Sequence, residues 1–214
     1  MVMLSVKNDL KNRFAEINTM KNILVKNQSV ECQVVLKSAL ILMLYNTVEG
    51  IVSNVLTELF DRIAEIQMSV TDLPERLQKT VFSYHLEQIG RKPERLKEFN
   101  QCSNIELCKI SYLEISRSMK LYSGNLDSKK IRDISKRMGV DLPNKIDVPE
   151  LMDVKEIRNK LAHGEIRFSN ACQDMTLQEL EQLCSKVQKY LNNVICSYER
   201  YCNDLRNEND AAER

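Results

Sequence analysis

The chain has 214 residues, enough to bury one substantial core, and its 31 basic and 30 acidic residues leave a formal charge of +1. A balance so near zero excludes bulk electrostatics as the force drawing this protein to nucleic acid or membrane, so any polyanion site must be local. Five glycines, four prolines, 43% hydrophobic and 29% charged residues exclude a many-stranded architecture and point to one all-α domain over residues 1–206, followed by a polar, frayed tail over 207–214.

In chain order, Leu10, Phe14, Ile17 and Leu24 recur at three- and four-residue steps or sums of these, which predicts an amphipathic helix from Ser5 to Lys26. A second, long helix follows from Ser29 to Gln67, with no proline and only Gly50. Its first half (Val34, Val35, Leu36, Leu40 to Leu44) is apolar almost all round, so this helix is expected to be buried or to pair with another chain. The most apolar run, Ser38 to Tyr45, falls far short of the roughly 20 residues that span a bilayer. Met1 to Leu10 also lacks the apolar core of a signal peptide. The expectation is a cytoplasmic protein with no membrane partner.

Asp72-Leu73-Pro74-Glu75 sets an acid three residues ahead of a glutamate, with proline in the first turn, and predicts a helix from there to Gln88. Gly90-Arg91-Lys92-Pro93 breaks it, and a shorter helical stretch spans Ile105 to Met119. Gly124-Asn125-Leu126-Asp127-Ser128 reads as a turn and cap feeding a helix from Lys129 to Met138, which Gly139 ends. Pro143 and Pro149 mark a linker. The next helix, Glu150 to Ala162, keeps Leu151, Val154, Ile157 or Arg158, and Leu161 on one side. Thr176-Leu177-Gln178-Glu179 is a capping box that opens the last helix, whose apolar positions from Leu177 to Leu205 alternate three- and four-residue steps. That regularity suits a packing strut in an antiparallel bundle or a dimer seam.

Seven cysteines form no C-x-x-C pair and have no histidine at zinc-ligand spacing. They read as reduced packing residues, and neither metal nor cofactor is expected.

Candidate chemistry concentrates in Arg158-Asn159-Lys160-Leu161-Ala162-His163-Gly164. Arginine holds its charge and can fork onto two phosphate oxygens, whereas histidine is the side chain whose ordinary pKa lies near neutrality. On a regular helix, positions 158 and 163 lie about 140° apart around the axis. To share a ligand, either the helix loosens at Ala162 and His163 before a cap at Gly164, or two copies of the motif meet across a two-fold axis. The same residues also suit a helix cap with a surface ion pair. Glu49, in an apolar helix, either meets Arg158 or its neighbours or lies on an exposed stripe with Asn46 and Ser53. His85 reads as a surface or packing histidine. Lys129, Lys130, Arg132, Lys136 and Arg137 form a second basic run, which fits a solvated face as well as a polyanion site.

The spacing from Arg158 to His163 resembles the R-x(4–6)-H signature of the HEPN superfamily. The stretch Leu40-Ile41-Leu42-Met43-Leu44-Tyr45-Asn46-Thr47-Val48-Glu49-Gly50 is similar to the apolar helix with a glutamate-glycine pair of the MAE-like HEPN family, and Gly124 to Ile131 is similar to that family as well. The resemblance implies a HEPN-type helical bundle with long second and last helices. It implies further a metal-independent endoribonuclease, with Arg158 and His163 as catalytic pair and Asn159 as the polar residue beside the arginine. Lys160 and Glu49 would bind or orient substrate.

Cleavage would proceed by attack of the ribose 2′-hydroxyl, with His163 moving the proton and Arg158 steadying the charged phosphate. The partners implied are RNA, a second copy of the chain sharing a composite site, and an antitoxin or defence-system partner in a toxin or abortive-infection role. Glu165 stands where related toxins that are silenced by adenylylation carry tyrosine, which argues against that regulation here. The alternative is a non-catalytic HEPN module binding RNA, a nucleotide or a protein partner, and a third reading is a purely structural dimerisation protein.

Overall fold

The two longest helices begin where a side chain can take up the free amide groups of a first turn. In the computed structural model, which describes residues 2–27, 29–119, 121, 125–144 and 146–212, Ser29 accepts from the Cys32 N–H at the start of the second helix. Thr176 and Glu179 close a reciprocal box ahead of the last, with Glu179 accepting from the Thr176 N–H at 2.8 Å. Among the described residues the regular elements are all helical. They are α1 (Leu4–Lys26), α2 (Val30–Glu65), α3 (Glu75–Arg91), α4 (Arg95–Gln101), a 3₁₀ turn (Glu106–Cys108), α5 (Tyr112–Met119), α6 (Ser128–Arg137), α7 (Leu151–Ala162), α8 (Phe168–Ala171) and α9 (Leu177–Ala212).

Three of these build the frame. α2 and α9 have 36 residues each, about 54 Å of helix. α1 packs antiparallel to both: Asp9 accepts from Asn54 of α2 at 2.9 Å, and Lys7 pairs with Glu199 of α9 at 2.6 Å. α2 and α9 run in the same direction, since Lys37 near the start of α2 donates to the Met175 carbonyl just before α9, while Asn209 near the end of α9 donates to the Ile66 carbonyl just after α2. The intervening elements carry the chain back to the starting end of α2, which permits that parallel pair. α6 also runs parallel to α9, since Tyr190 meets the Ser128 carbonyl and Tyr198 meets Ser135, so the bundle is not the simple antiparallel one expected.

α2 is the central helix, with Leu40, Ile41, Leu44, Ile51, Leu56 and Leu59 completely shielded. Each such side chain contributes about 1.5–3 kcal/mol of burial. An 18-residue window of α2 is long and apolar enough to cross a membrane by length and composition, with mean hydropathy 1.5. That window is longer than the apolar run from Ser38 to Tyr45. In the bundle 56% of that window is buried, and α2 packs against α1, α5, α7, α8 and α9 while Val30 and Val35 near its start stay exposed.

Several boundaries differ from expectation. α3 begins at Glu75, not at Asp72, because the Asp72 N–H bonds back to Ser69 in a turn and Pro74 forms the cap position. It continues through Gly90 to Arg91 and stops only at Lys92, whose extended backbone is what a following proline imposes. The predicted stretch Ile105 to Met119 is split: Ser111 and Glu114 form their own capping box, so a new helix starts after the 3₁₀ turn. α4 was not anticipated. The last helix runs on to Ala212, with Leu205 buried and Asn209 donating to the Ile66 carbonyl near its end. Gly124 lies outside the described residues.

The cap predicted for α6 forms. The Asp127 side chain accepts from the Lys130 N–H at 2.8 Å and from Lys155 Nζ of α7 at 2.7 Å, with both partners of the ion pair largely shielded. Burial alone would raise the Asp127 carboxyl, but the Lys155 and Lys130 hydrogen bonds outweigh it and hold it below its ordinary value of 3.8. A carboxyl depressed in this way stabilises the fold above its unfolded value and loses that contribution as pH falls towards the folded one. Asp127→Asn, which can still cap, is therefore expected to cost about 2 kcal/mol at pH 7. The wild-type advantage should shrink below about pH 4, as measured by urea denaturation. An unchanged difference at pH 3 would reject the ion pair as its source.

Candidate functional site

Position 158 lies seven residues after Leu151 and three before Leu161, on the stripe by which α7 packs against α2. Where an apolar residue would complete that stripe, the sequence supplies arginine. Its guanidinium therefore stays against α2, with about a quarter of the side chain exposed. Arg158 Nη2 is 3.6 Å from a Glu49 carboxylate oxygen, and its Cζ sits over the Tyr45 ring, 4.9 Å from the centroid. Tyr45 and Glu49 are four residues apart on α2 and so share one face.

The cluster is tied together from the loop before α6. Tyr45 Oη accepts from the buried Leu126 N–H at 3.0 Å. Burial pushes the Tyr45 phenol up to about 12; the Leu126 bond pulls it down and Glu49 pushes it up again. Asn159 Oδ1 accepts from Arg158 Nη1 at 2.9 Å, and Asn159 Nδ2 donates to Asn125 Oδ1 at 3.1 Å. Glu49 therefore meets Arg158 and does not lie on a free stripe, although Asn46 nearby is exposed.

The adjoining Gly50 serves a separate purpose. A Cβ there would come within 2.9 Å of the Arg13 guanidinium, which lies flat on α2.

His163 stands at the other end of the motif. α7 stays regular through Ala162, the His163 N–H still bonds to Asn159 at 3.0 Å, and the His163 backbone remains right-handed. The reversal falls at Gly164, with φ of +71°. There the Glu165 N–H bonds to the Lys160 carbonyl and the Gly164 N–H to that of Leu161, the Schellman pattern that glycine favours. The helix does not loosen at Ala162 and His163, which removes one of the two routes considered for bringing His163 toward Arg158. In one chain their Cα positions are set about 140° apart around the axis and about 7.5 Å along it. The imidazole and the Lys160 side chain are both exposed.

His85 is structural: its Nε2 is 2.9 Å from the Leu107 carbonyl, and its ring meets those of Tyr84 and Phe99. Cys108, Cys172, Cys184 and Cys202 are buried, and burial pushes their thiols up, to about 11 at Cys108 and about 12 at Cys202. A cleft of about 430 Å³ between α7 and α9 is rimmed by Glu150, Asp153, Asp174 and Glu179, against Lys186 alone. Its charge disfavours phosphate, and neither Arg158 nor His163 lines it. Sequence reasoning missed Tyr45 and Asn125 in the Arg158 cluster. The i, i+4 spacing from Tyr45 to Glu49 was the available signal.

The family model described as MAE_28990-like HEPN matches residues 4–206, spanning α1 through nearly all of α9. The chain belongs to that HEPN family. No curated protein and no solved structure matches it. Many HEPN members are ribonucleases, so the fold assignment brings an RNase reading with it, and the Arg158 to His163 motif lies within the matched segment.

Proposed function

We propose that this HEPN protein is a metal-independent endoribonuclease of the cytoplasm. The observation that carries the reading is the Arg158 cluster, in which a guanidinium is held by Glu49, Asn159 and the Tyr45 ring in the same motif that ends on the exposed His163.

In the proposed reaction the imidazole of His163 takes the proton from a ribose 2′-hydroxyl, whose oxygen attacks the adjacent phosphorus. The 5′-oxygen of the next nucleotide leaves and is protonated, and the product ends in a 2′,3′-cyclic phosphate. Arg158 neutralises the charge building on the phosphate oxygens, and Asn159 keeps the guanidinium in plane. Because α7 is rigid between the two residues, the working site pairs Arg158 of one protomer with His163 of its partner in a two-fold dimer. A toxin or abortive-infection role, held in check by an antitoxin or another defence-system partner, is part of the same proposal.

The test is cleavage of labelled RNA in chelator. The expected result is breakage of RNA, none of the 2′-deoxy analogue, and fragments that resist labelling at the 3′ end until the cyclic phosphate is opened and the resulting monophosphate removed. Equal cleavage of both polymers would reject 2′-hydroxyl attack.

In this scheme Glu49 is a positioning residue. Glu49→Gln keeps the shape of the side chain but removes the charge that holds the guanidinium, and is expected to lower kcat about tenfold with no rise in KM. A raised KM at unchanged kcat would assign Glu49 to substrate binding instead.

One observation favours a second reading. Within one chain the regular end of α7 keeps His163 off the side of the helix that carries Arg158, as suits a non-catalytic HEPN module that binds RNA, a nucleotide or a protein partner. Retained binding without cleavage under the same conditions would support it.

A further inference from the structure

α6 begins at the Arg158 cluster, since Asn125 bonds to Asn159 and Asp127 caps the helix. Its buried side carries Ile131, Ile134 and Ser135. The opposite side presents Lys129, Lys130, Asp133, Lys136 and Arg137, all exposed at spacings that place them on one face. Among the described residues none of those four cations is in a salt bridge.

At its far end the face opens into a groove of about 370 Å³ between α6 and α3, where Arg76 and Lys79 join Lys136 and Arg137 against the single acid Asp133. The existing pairs there, Arg76 with Asp141 and Lys79 with Glu75, are between side chains that are about half exposed or more. Water screens such pairs, so they yield readily to phosphate. The acidic rim of the α7–α9 cleft repels a polyanion on the other flank of α7.

We propose that this face is a track for the phosphodiester backbone of single-stranded RNA. It runs from the Arg158 cluster along α6 into the α3–α6 groove and holds nucleotides beyond the scissile bond. The inference rests on the RNA reading above. Lys129 and Lys136 are about 10.5 Å apart along the helix, which at the 3.4 Å rise of a stacked strand spans about three nucleotides. Contacts of this kind hold phosphates and carry little sequence preference.

The experiment measures binding of a twelve-residue oligothymidylate, which lacks the 2′-hydroxyl and so reports the track apart from chemistry, together with RNA cleavage by the same preparations. Lys136→Glu with Arg137→Glu is compared with Lys11→Glu and Lys189→Glu, an equal charge change at exposed positions elsewhere. The α6 pair is expected to weaken binding at least about tenfold and to reduce the slope of log affinity against log salt by about 1.4, or about 0.7 for each lost phosphate contact. The control pair should change affinity less than threefold. Helical circular dichroism establishes that each variant is folded.

If the wild type cleaves RNA while both pairs bind alike, the track is overturned and the nuclease reading stands. If the slope is lost only in the α6 pair but the wild type cleaves nothing, the track stands and the nuclease reading falls. If the wild type neither binds the oligonucleotide nor cleaves RNA, both are overturned.

Discussion

Alanine at His163 is expected to reduce single-turnover RNA cleavage by at least about 10³-fold, within the range that a positioned proton-transfer group supplies. Because the imidazole is exposed at the end of α7, this substitution should leave the melting temperature unchanged, so a loss of activity cannot be assigned to unfolding. Arg158→Ala is expected to lose about 10²- to 10³-fold, the cost of removing one group that stabilises charge in the transition state. That variant also leaves Glu49 without its cation, and Arg158→Lys separates the two effects. Lysine keeps a positive charge beside Glu49 but cannot fork onto two phosphate oxygens. It should restore most of the stability while leaving cleavage at least about 10²-fold down. If either alanine variant cleaves RNA at wild-type rate, the assigned roles are wrong.

Mixing those two inactive proteins should bring activity back. In a two-fold dimer whose sites each take Arg158 from one chain and His163 from the other, a mixed dimer holds one site lacking both groups and one intact site. Random exchange makes half the dimers mixed, so the mixture should recover about a quarter of wild-type cleavage from two proteins that have almost none. The basis is the regular helix between the residues: the His163 N–H still bonds to Asn159, and the turn comes only at Gly164. Cleavage that stays at the level of the separate variants, after exchange has been demonstrated by size and labelling, would place both groups of each site in one chain.

The helices of the frame were legible because their signals are local. The Thr176 to Glu179 box and the apolar spacing of α1 need only neighbouring residues to act, and both ends of α6 follow from Asp127 and Gly139 in the same way. α4 and the split at Ser111 were missed. α4 carries no buried residue to reveal a periodic stripe, and a single Ser-x-x-Glu inside a helical stretch is visible only when its partners are seen to bond.

The residue types at the candidate site were equally visible, since arginine, asparagine and histidine stand together within six positions, 158 to 163. Their surroundings were not. Tyr45 and Glu49 lie more than a hundred residues before Arg158, and they meet it only because α7 lies across α2. The sequence alone established an all-α chain with a HEPN-like motif, because composition, periodicity and capping act over a turn or two. Tertiary packing decided which cation is held, by what, and which ring is left exposed. Contacts between distant helices depend on how whole faces are buried, and no local window carries that information.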